Sequence, residues 1–334
     1  MRIVVTGVTG NVGTSVLPVL GSDPTVDSVL GLARRLPERS WPKADFAAVD
    51  LADPDADLVG CLRGADAVIH LAWAIQPARE EEAMWRTNVE GTAALLRASA
   101  DAGVGAVVVA SSVGAYSTGP KDRSVDESWP THGVPTSAYS RHKAYVERML
   151  DSFEAEHPEI RLVRMRPGLL LKGDAASEVL RLFLGPFVPP IVLGRRLLPV
   201  FPNSTRLRFQ VAHSLDAGEA FARAAVRPVR GAFNLAAEPV LDGAALAEIL
   251  HARPVPVPPS LLRTAASVAW RMHLQPTDPG WVDLVLRVPI MDTSRVRREL
   301  EWEPRCDAAD AVNEILDGFR ERAGSETAPL TPVA

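Results

Sequence analysis

The 334-residue sequence predicts an α/β fold, a doubly wound parallel sheet with helices on both faces and a smaller, mixed C-terminal lobe. Three features carry that expectation. The chain opens on a buried-type strand, Arg2-Ile3-Val4-Val5-Thr6, that runs straight into glycines at positions 7, 10 and 13. Apolar runs of strand length then alternate with helical patterns as far as Met165, the rhythm of right-handed βαβ crossovers and of strands buried on both faces. Beyond Arg166 the pattern loosens into proline-rich, loop-broken stretches, which suits a lobe placed over the sheet.

Strands are expected at residues 3–5, 28–33, 46–49, 67–71, 106–110 and 161–165, most of them short runs rich in Val, Ile, Leu or Ala. The clearest helices cover 80–102 and 137–156, and 215–225, 243–251 and 308–320 read as helices in the second half. Pro18 falls inside the first helix and is expected to kink or shorten it, because its ring nitrogen donates no hydrogen bond. The last residues, 324–334, carry Ser, Thr and two prolines with little to bury, so a disordered tail is expected.

Composition narrows the partners. A net charge of −5 leaves no broad basic surface, so a small-molecule substrate is expected rather than nucleic acid or a membrane. Cys61 and Cys306 are the only cysteines, too few for a disulfide scaffold and without metal-ligand spacing; both read as structural, and no metal is expected. The most apolar stretch, 180–198, is broken by prolines, a glycine and two arginines before it reaches the length of a spanning helix. With no leader pattern ahead of the first strand, the reading is cytoplasmic.

A strand that turns through glycines into a helix places backbone N–H groups and the positive helix end where a pyrophosphate can sit. Gly7, Thr9, Gly10, Asn11, Val12 and Gly13 are therefore candidate dinucleotide-binding residues. At the tip of the second strand an acid would accept a hydrogen bond from a free ribose 2′-hydroxyl, whereas arginine neutralises a 2′-phosphate. This chain has Arg34-Arg35 there, which favours NADP, with NAD as the alternative. Asp50 and Leu51 close the third strand at the height of an adenine edge, although Asp50 could equally cap a helix starting near residue 53. Leu71-Ala72-Trp73 closes the fourth, with a small residue where the cofactor backbone must approach.

Tyr139 and Lys143 are four apart in a helical stretch and so share one face. An ammonium beside a phenol lowers the phenol's pKa from its usual value near 10, making it a usable proton shuttle. Ser112, at the end of the 106–110 strand, can hold a substrate oxygen against the Tyr139 hydroxyl. The three suit hydride transfer to or from a nicotinamide. Of the histidines, His70 reads as a satisfied core residue and His142 as a surface one, while His213 and Asp216 read as a helix start or lobe packing.

The chain resembles the extended short-chain dehydrogenases/reductases, the group containing nucleotide-sugar epimerases and dehydratases. The resemblance covers roughly residues 1–320 and rests on the glycine turn, Asp50-Leu51, His70-Leu71-Ala72, Asn88 to Thr92, Ser111-Ser112 with Tyr116, Tyr139 to Lys143, Arg166-Pro167 with Gly173, His213 with Asp216, and the 295–304 stretch. It implies a Rossmann-type domain over 1–166, rejoined by segments from about 205–240, and a substrate lobe mainly over 167–323. It implies that Gly7, Gly10 and Gly13 cradle the pyrophosphate, that Asp50 and Leu51 meet the adenine, and that Tyr139 is the acid/base. Lys143 would also bind the nicotinamide ribose and Ser112 would orient the substrate oxygen; Asn88 and Pro167 are added as residues beside the cofactor. Its two long helices resemble those that form a dimer face in relatives, so a homodimer is allowed.

Two departures narrow the reaction. Val113-Gly114 follows Ser112 where the 4,6-dehydratases place an acidic pair, and Gly168-Leu169 follows Arg166-Pro167 where sugar-nucleotide enzymes commonly carry an asparagine that grips the diphosphate. The apolar stretches 179–184, 187–193 and 197–201 add a wall suited to a less polar ligand. The reading is an NADP-dependent oxidoreductase acting on a ketone, aldehyde or secondary alcohol through Ser112, Tyr139 and Lys143. A nucleotide-sugar epimerase with tightly bound NAD is the alternative, and a non-catalytic NADP-sensing regulator the weaker one.

Overall fold

The computed structural model describes residues 1–76, 79–184 and 198–332. Seven strands form one sheet: β1 (Arg2–Thr6), β2 (Ser28–Ala33), β3 (Ala44–Ala48), β4 (Ala67–His70), β5 (Ala106–Ala110), β6 (Arg161–Pro167) and β7 (Gly231–Leu235). Their spatial order is β7-β6-β5-β4-β1-β2-β3, and every pairing is parallel. The order reverses between β1 and β4, which opens a crevice at the carboxyl edge of the sheet, where ligands of such folds bind. This is the Rossmann-type α/β architecture that the alternating pattern predicts.

Two apolar layers cover the sheet. Ile3, Val5, Val108 and Phe233 point to one face and pack with helices α1 (Gly13–Ser22) and α4 (Ser214–Val226). Val4, Val68, Val107 and Leu162 point to the other, against helices α2 (Gly91–Asp101) and α3 (Ala138–Glu156). The period-2 alternation of a pleated strand thus explains why nearly every residue of these strands is apolar. Helix α1 continues past Pro18 to Ser22, with the proline on the exposed side. The single helix expected over 80–102 is interrupted: Glu81–Trp85 leads through a π-turn at Arg86–Glu90 into α2. Gly91 stands where that turn meets the third crossover, since a Cβ there would lie 2.9 Å from the Leu51 carbonyl oxygen.

A third core, built on Leu171, Leu180, Leu241, Ile315 and Phe319, sits around helix α5 (Ala308–Glu321) beside the sheet. Residues 187–193, read as part of an apolar wall, lie outside the described residues. The expected disordered tail is corrected: 324–332 folds back on the protein, with Leu330 and Thr327 completely buried. Burial of Leu330 and hydrogen bonds from Ser177 and Arg181 dock a segment whose composition otherwise reads as solvent-loving. Among the described residues no helix is long and apolar enough to cross a membrane.

Candidate active site

The carboxyl ends of β1, β2 and β4, with the loops that follow, enclose a cavity of about 470 Å³. Gly7, Thr9 and Gly10 form its base. Gly7 has φ +68°, and a Cβ on it would lie 2.6 Å from the Ala72 backbone nitrogen, so the turn tolerates no side chain there. The N-terminus of α1 has neither a side-chain cap nor an acidic residue in its first turn, which leaves its dipole uncompensated toward the turn. Arg34 and Arg35, exposed at the end of β2, line the same cavity, as do Asp50, Leu51, Leu71, Ala72 and Trp73. Asp50 is no helix cap: its carboxylate accepts the Ala52 amide at 3.0 Å, and the next helix, Leu58–Leu62, is capped by Asp57 instead.

Seven expected binding residues are not among those that line this cavity: Asn11, Val12, Gly13, Asn88, Tyr139, Lys143 and Pro167. The Asn11 amide nitrogen donates to the Leu170 carbonyl at 3.1 Å, tying the turn to the second half of the chain. Val12 and Gly13 begin α1, where Gly13 lets the helix pack against the backbone of Gly7 and Val8. Pro167 is buried at the end of β6, paired with Leu235. Asn11 and Pro167 hold the turn and the sheet through these contacts, and Gly13 leaves room for α1 against the turn.

Ser112 ends the segment after β5, and its hydroxyl accepts the Gly114 amide at 2.9 Å, starting the turn Val113–Ala115. That turn brings it beside Tyr139: both the Tyr139 ring and the Ser112 hydroxyl oxygen crowd the space next to Gly114. Ser137 caps α3, setting the register that puts Tyr139 and Lys143 on the face turned to Ser112. Lys143 is buried; its ammonium donates to the Ala110 carbonyl at 2.7 Å and lies 5.8 Å from the Tyr139 ring centroid. The three side chains the spacing singles out therefore meet in one place.

The expected electrostatics need correction. Burial pushes the Tyr139 phenol up to about 12, against the lowering influence of the nearby Ser112 hydroxyl, and burial also pulls Lys143 well below its ordinary value. Desolvation acts on both charged forms at once, so neither phenolate nor ammonium is favoured. Sequence spacing reports that two groups are adjacent but not how much water surrounds them.

Three aromatic rings complete the surroundings of Tyr139. Trp73 lies edge-on at 6.0 Å between centroids, and its ring face is 3.3 Å from the Lys143 ammonium nitrogen. Trp281 lies 4.8 Å from Tyr139 and in turn meets Phe183 at 4.9 Å. Trp281 and Phe183 come from the second half of the chain, and no local motif announces them.

Behind the site most of the buried polar groups among the described residues are paired, the His142 Nε2 being one that has no hydrogen-bond partner. His70 joins Thr6 at 2.7 Å and Thr92 at 2.9 Å, the satisfied core histidine expected, and burial holds its pKa down to about 3. Asn88 exchanges two hydrogen bonds with the Ala74 backbone, at 2.7 and 2.8 Å, which pins the loop after β4 against the cavity. His142 is corrected from surface to core: it is 1% exposed, edge-on to Trp85 and 3.5 Å from Glu81, because α3 packs against the Glu81–Trp85 helix on that side. His213 accepts the Leu215 amide and meets Glu314 at 2.9 Å, while Asp216 accepts the Arg305 and Cys306 amides, so both serve the helix start and the lobe. One turn beyond Lys143, fully buried Glu147 accepts from Nε and Nη2 of Arg166, at 2.8 and 2.9 Å, and from the Ser111 hydroxyl at 2.6 Å.

The pattern of the NAD dependent epimerase/dehydratase family matches residues 3–236. The chain belongs to that family. An uncharacterized Mycobacterium tuberculosis protein is 29% identical over 327 residues, 97% of this chain, but the chain spans only 31% of that relative's length. A second uncharacterized protein of that organism is 25% identical over 339 residues, covering 99% of this chain and 85% of its own. An L-arabinose 1-dehydrogenase (NAD(P)(+)) of Haloferax volcanii is 28% identical over 189 residues, 53% of this chain and 70% of the enzyme. Two solved structures share the fold. The UDP-glucose 4-epimerase of Thermus thermophilus, complexed with NAD, aligns with TM-score 0.69 and 22% identity over 96% of this chain and 99% of its own. The dTDP-glucose 4,6-dehydratase DesIV of Streptomyces venezuelae aligns with TM-score 0.70 and 23% identity over 96% and 97%.

Proposed function

We propose that this chain is an NADP-dependent oxidoreductase that reduces a ketone or aldehyde of low polarity. The observation that carries the reading is the pairing of Arg34 and Arg35 with the glycine turn in one cavity, at a strand tip that offers no acid to a free ribose hydroxyl. The donors present fit an anionic dinucleotide: an uncapped helix start, a turn stripped of side chains, and guanidinium groups beyond it. The nicotinamide, when bound, supplies the hydride.

The chain's own residues supply the rest. The Ser112 hydroxyl holds the substrate oxygen, and Tyr139, beside it, donates its proton as charge develops there. A phenol that keeps its proton at neutral pH is in the form a reduction requires, and this is how burial of Tyr139 serves the proposed direction. Lys143 and the Ala110 carbonyl fix the floor of the site, while Trp73, Trp281 and Phe183 keep water from the reacting centre. The same rings offer few partners to the hydroxyls of a sugar, which favours an apolar substrate over a nucleotide sugar.

Titrating the purified chain with NADPH and NADH tests the cofactor reading. Tighter binding of NADPH, reduced roughly tenfold or more by Arg34→Ala with Arg35→Ala, is expected for a lost charge-assisted phosphate contact. Tighter binding of NADH by the unaltered chain overturns it and favours the retained-NAD epimerase instead.

A further inference from the structure

The end of the chain returns to the dinucleotide cavity. Ala328 and Pro329, in the turn Ala328–Leu330, line it together with Gly7, Gly10, Arg34 and Arg35. The return is anchored at several points. The Ala323 carbonyl accepts the amide and hydroxyl of Ser177, at 3.3 and 2.9 Å, and fully buried Leu330 exchanges backbone hydrogen bonds with Thr327 and Ser325 at 2.8 and 2.9 Å. Arg181 completes the attachment, donating to the Thr331 carbonyl at 2.8 Å and to the Pro329 carbonyl.

Arg181 is itself a lining residue. Among the described residues of the wall it is the third arginine, and the only one contributed by the second half of the chain. The tail carbonyls hold its guanidinium in place, so little side-chain freedom remains to be lost when an anion arrives. Glu178, one turn earlier on the same wall, would oppose that anion, but burial pushes its carboxyl up to about 7 even with Arg181 and Lys172 lowering it.

We infer that residues 323–332 and Arg181 are part of the cofactor site: the tail fixes Arg181 for a cofactor phosphate, and Ala328 and Pro329 form the outer wall that slows release. The inference rests on the dinucleotide reading of the cavity. Its test uses the full chain with NADPH as probe, reading hydrogen exchange of 323–332 and the release rate by displacement of nicotinamide fluorescence. Bound NADPH is expected to slow exchange of the Ser325 and Leu330 amides. Arg181→Met and Ala328→Asp are each expected to speed release about tenfold or more at unchanged circular dichroism, the loss of one charge-assisted contact or the gain of one repulsion. If the unaltered chain binds NADPH while tail exchange is unmoved and both variants release at its rate, the tail's role is overturned and the cofactor reading stands. If the unaltered chain binds neither NADPH nor NADH, both fall together.

Discussion

At the scale of single residues, the buried histidine behind the glycine turn gives the sharpest pH dependence. His70 is neutral between two threonine hydroxyls, with a folded-state pKa of about 3 against an ordinary 6.5. Its folded value is the lower one, so its contribution is intact above pH 6.5 and is lost as the pH falls from there toward 3, by roughly 1.4 kcal/mol per unit. Urea unfolding between pH 6 and 4 is expected to show that slope, and His70→Gln is expected to flatten it while lowering stability at pH 7. An equally steep slope in the variant would place the proton elsewhere. Tyr139 makes a second residue-scale prediction: Tyr139→Phe keeps the ring against Trp281 but removes the proton, so kcat is expected to fall about 10²–10⁴-fold with the NADPH Kd unchanged. A matching loss of NADPH affinity in titration would mean that the phenol holds the cofactor rather than the substrate oxygen.

At the scale of elements, the joint between α3 and β6 is electrostatic. Glu147 on the helix, fully buried, faces Arg166 on the strand, with the Arg164 guanidinium 3.5 Å away. Removing one partner strands a buried charge, so Glu147→Ala is expected to cost about 3–5 kcal/mol in chemical unfolding. Glu147→Leu combined with Arg166→Met is expected to cost much less than the sum of the two single changes. Strict additivity would show that the two charges are not coupled. Elements are also where the sequence reads best and worst. The strand–turn–helix of β1, Gly7 and α1 is legible because one local pattern specifies it, and Ser112, Tyr139 and Lys143 are legible because strand end and helix spacing place them. The π-turn at Arg86–Glu90, the burial of His142 and the docking of 324–332 are not, since each depends on which distant segment packs alongside.

At the scale of the whole molecule, the sheet supplies one edge and the second half of the chain supplies what closes over it. Trp281, Phe183, Arg181 and Ala328 reach the site from segments with no motif, and this is why the substrate side is less legible than the cofactor side. The acidified phenol expected from the Tyr139–Lys143 spacing fails for the same reason, because the solvent each group loses is a property of the assembled molecule. The most direct measurement of the central claim follows deuterium from NADPH carrying deuterium at both C4 positions during turnover of a panel of ketones and aldehydes. The account predicts one deuterium on the carbinol carbon for each NADPH consumed, and loss of that transfer in Tyr139→Phe. Epimerisation of a nucleotide sugar on a retained cofactor, with no NADPH consumed against any carbonyl, would contradict it.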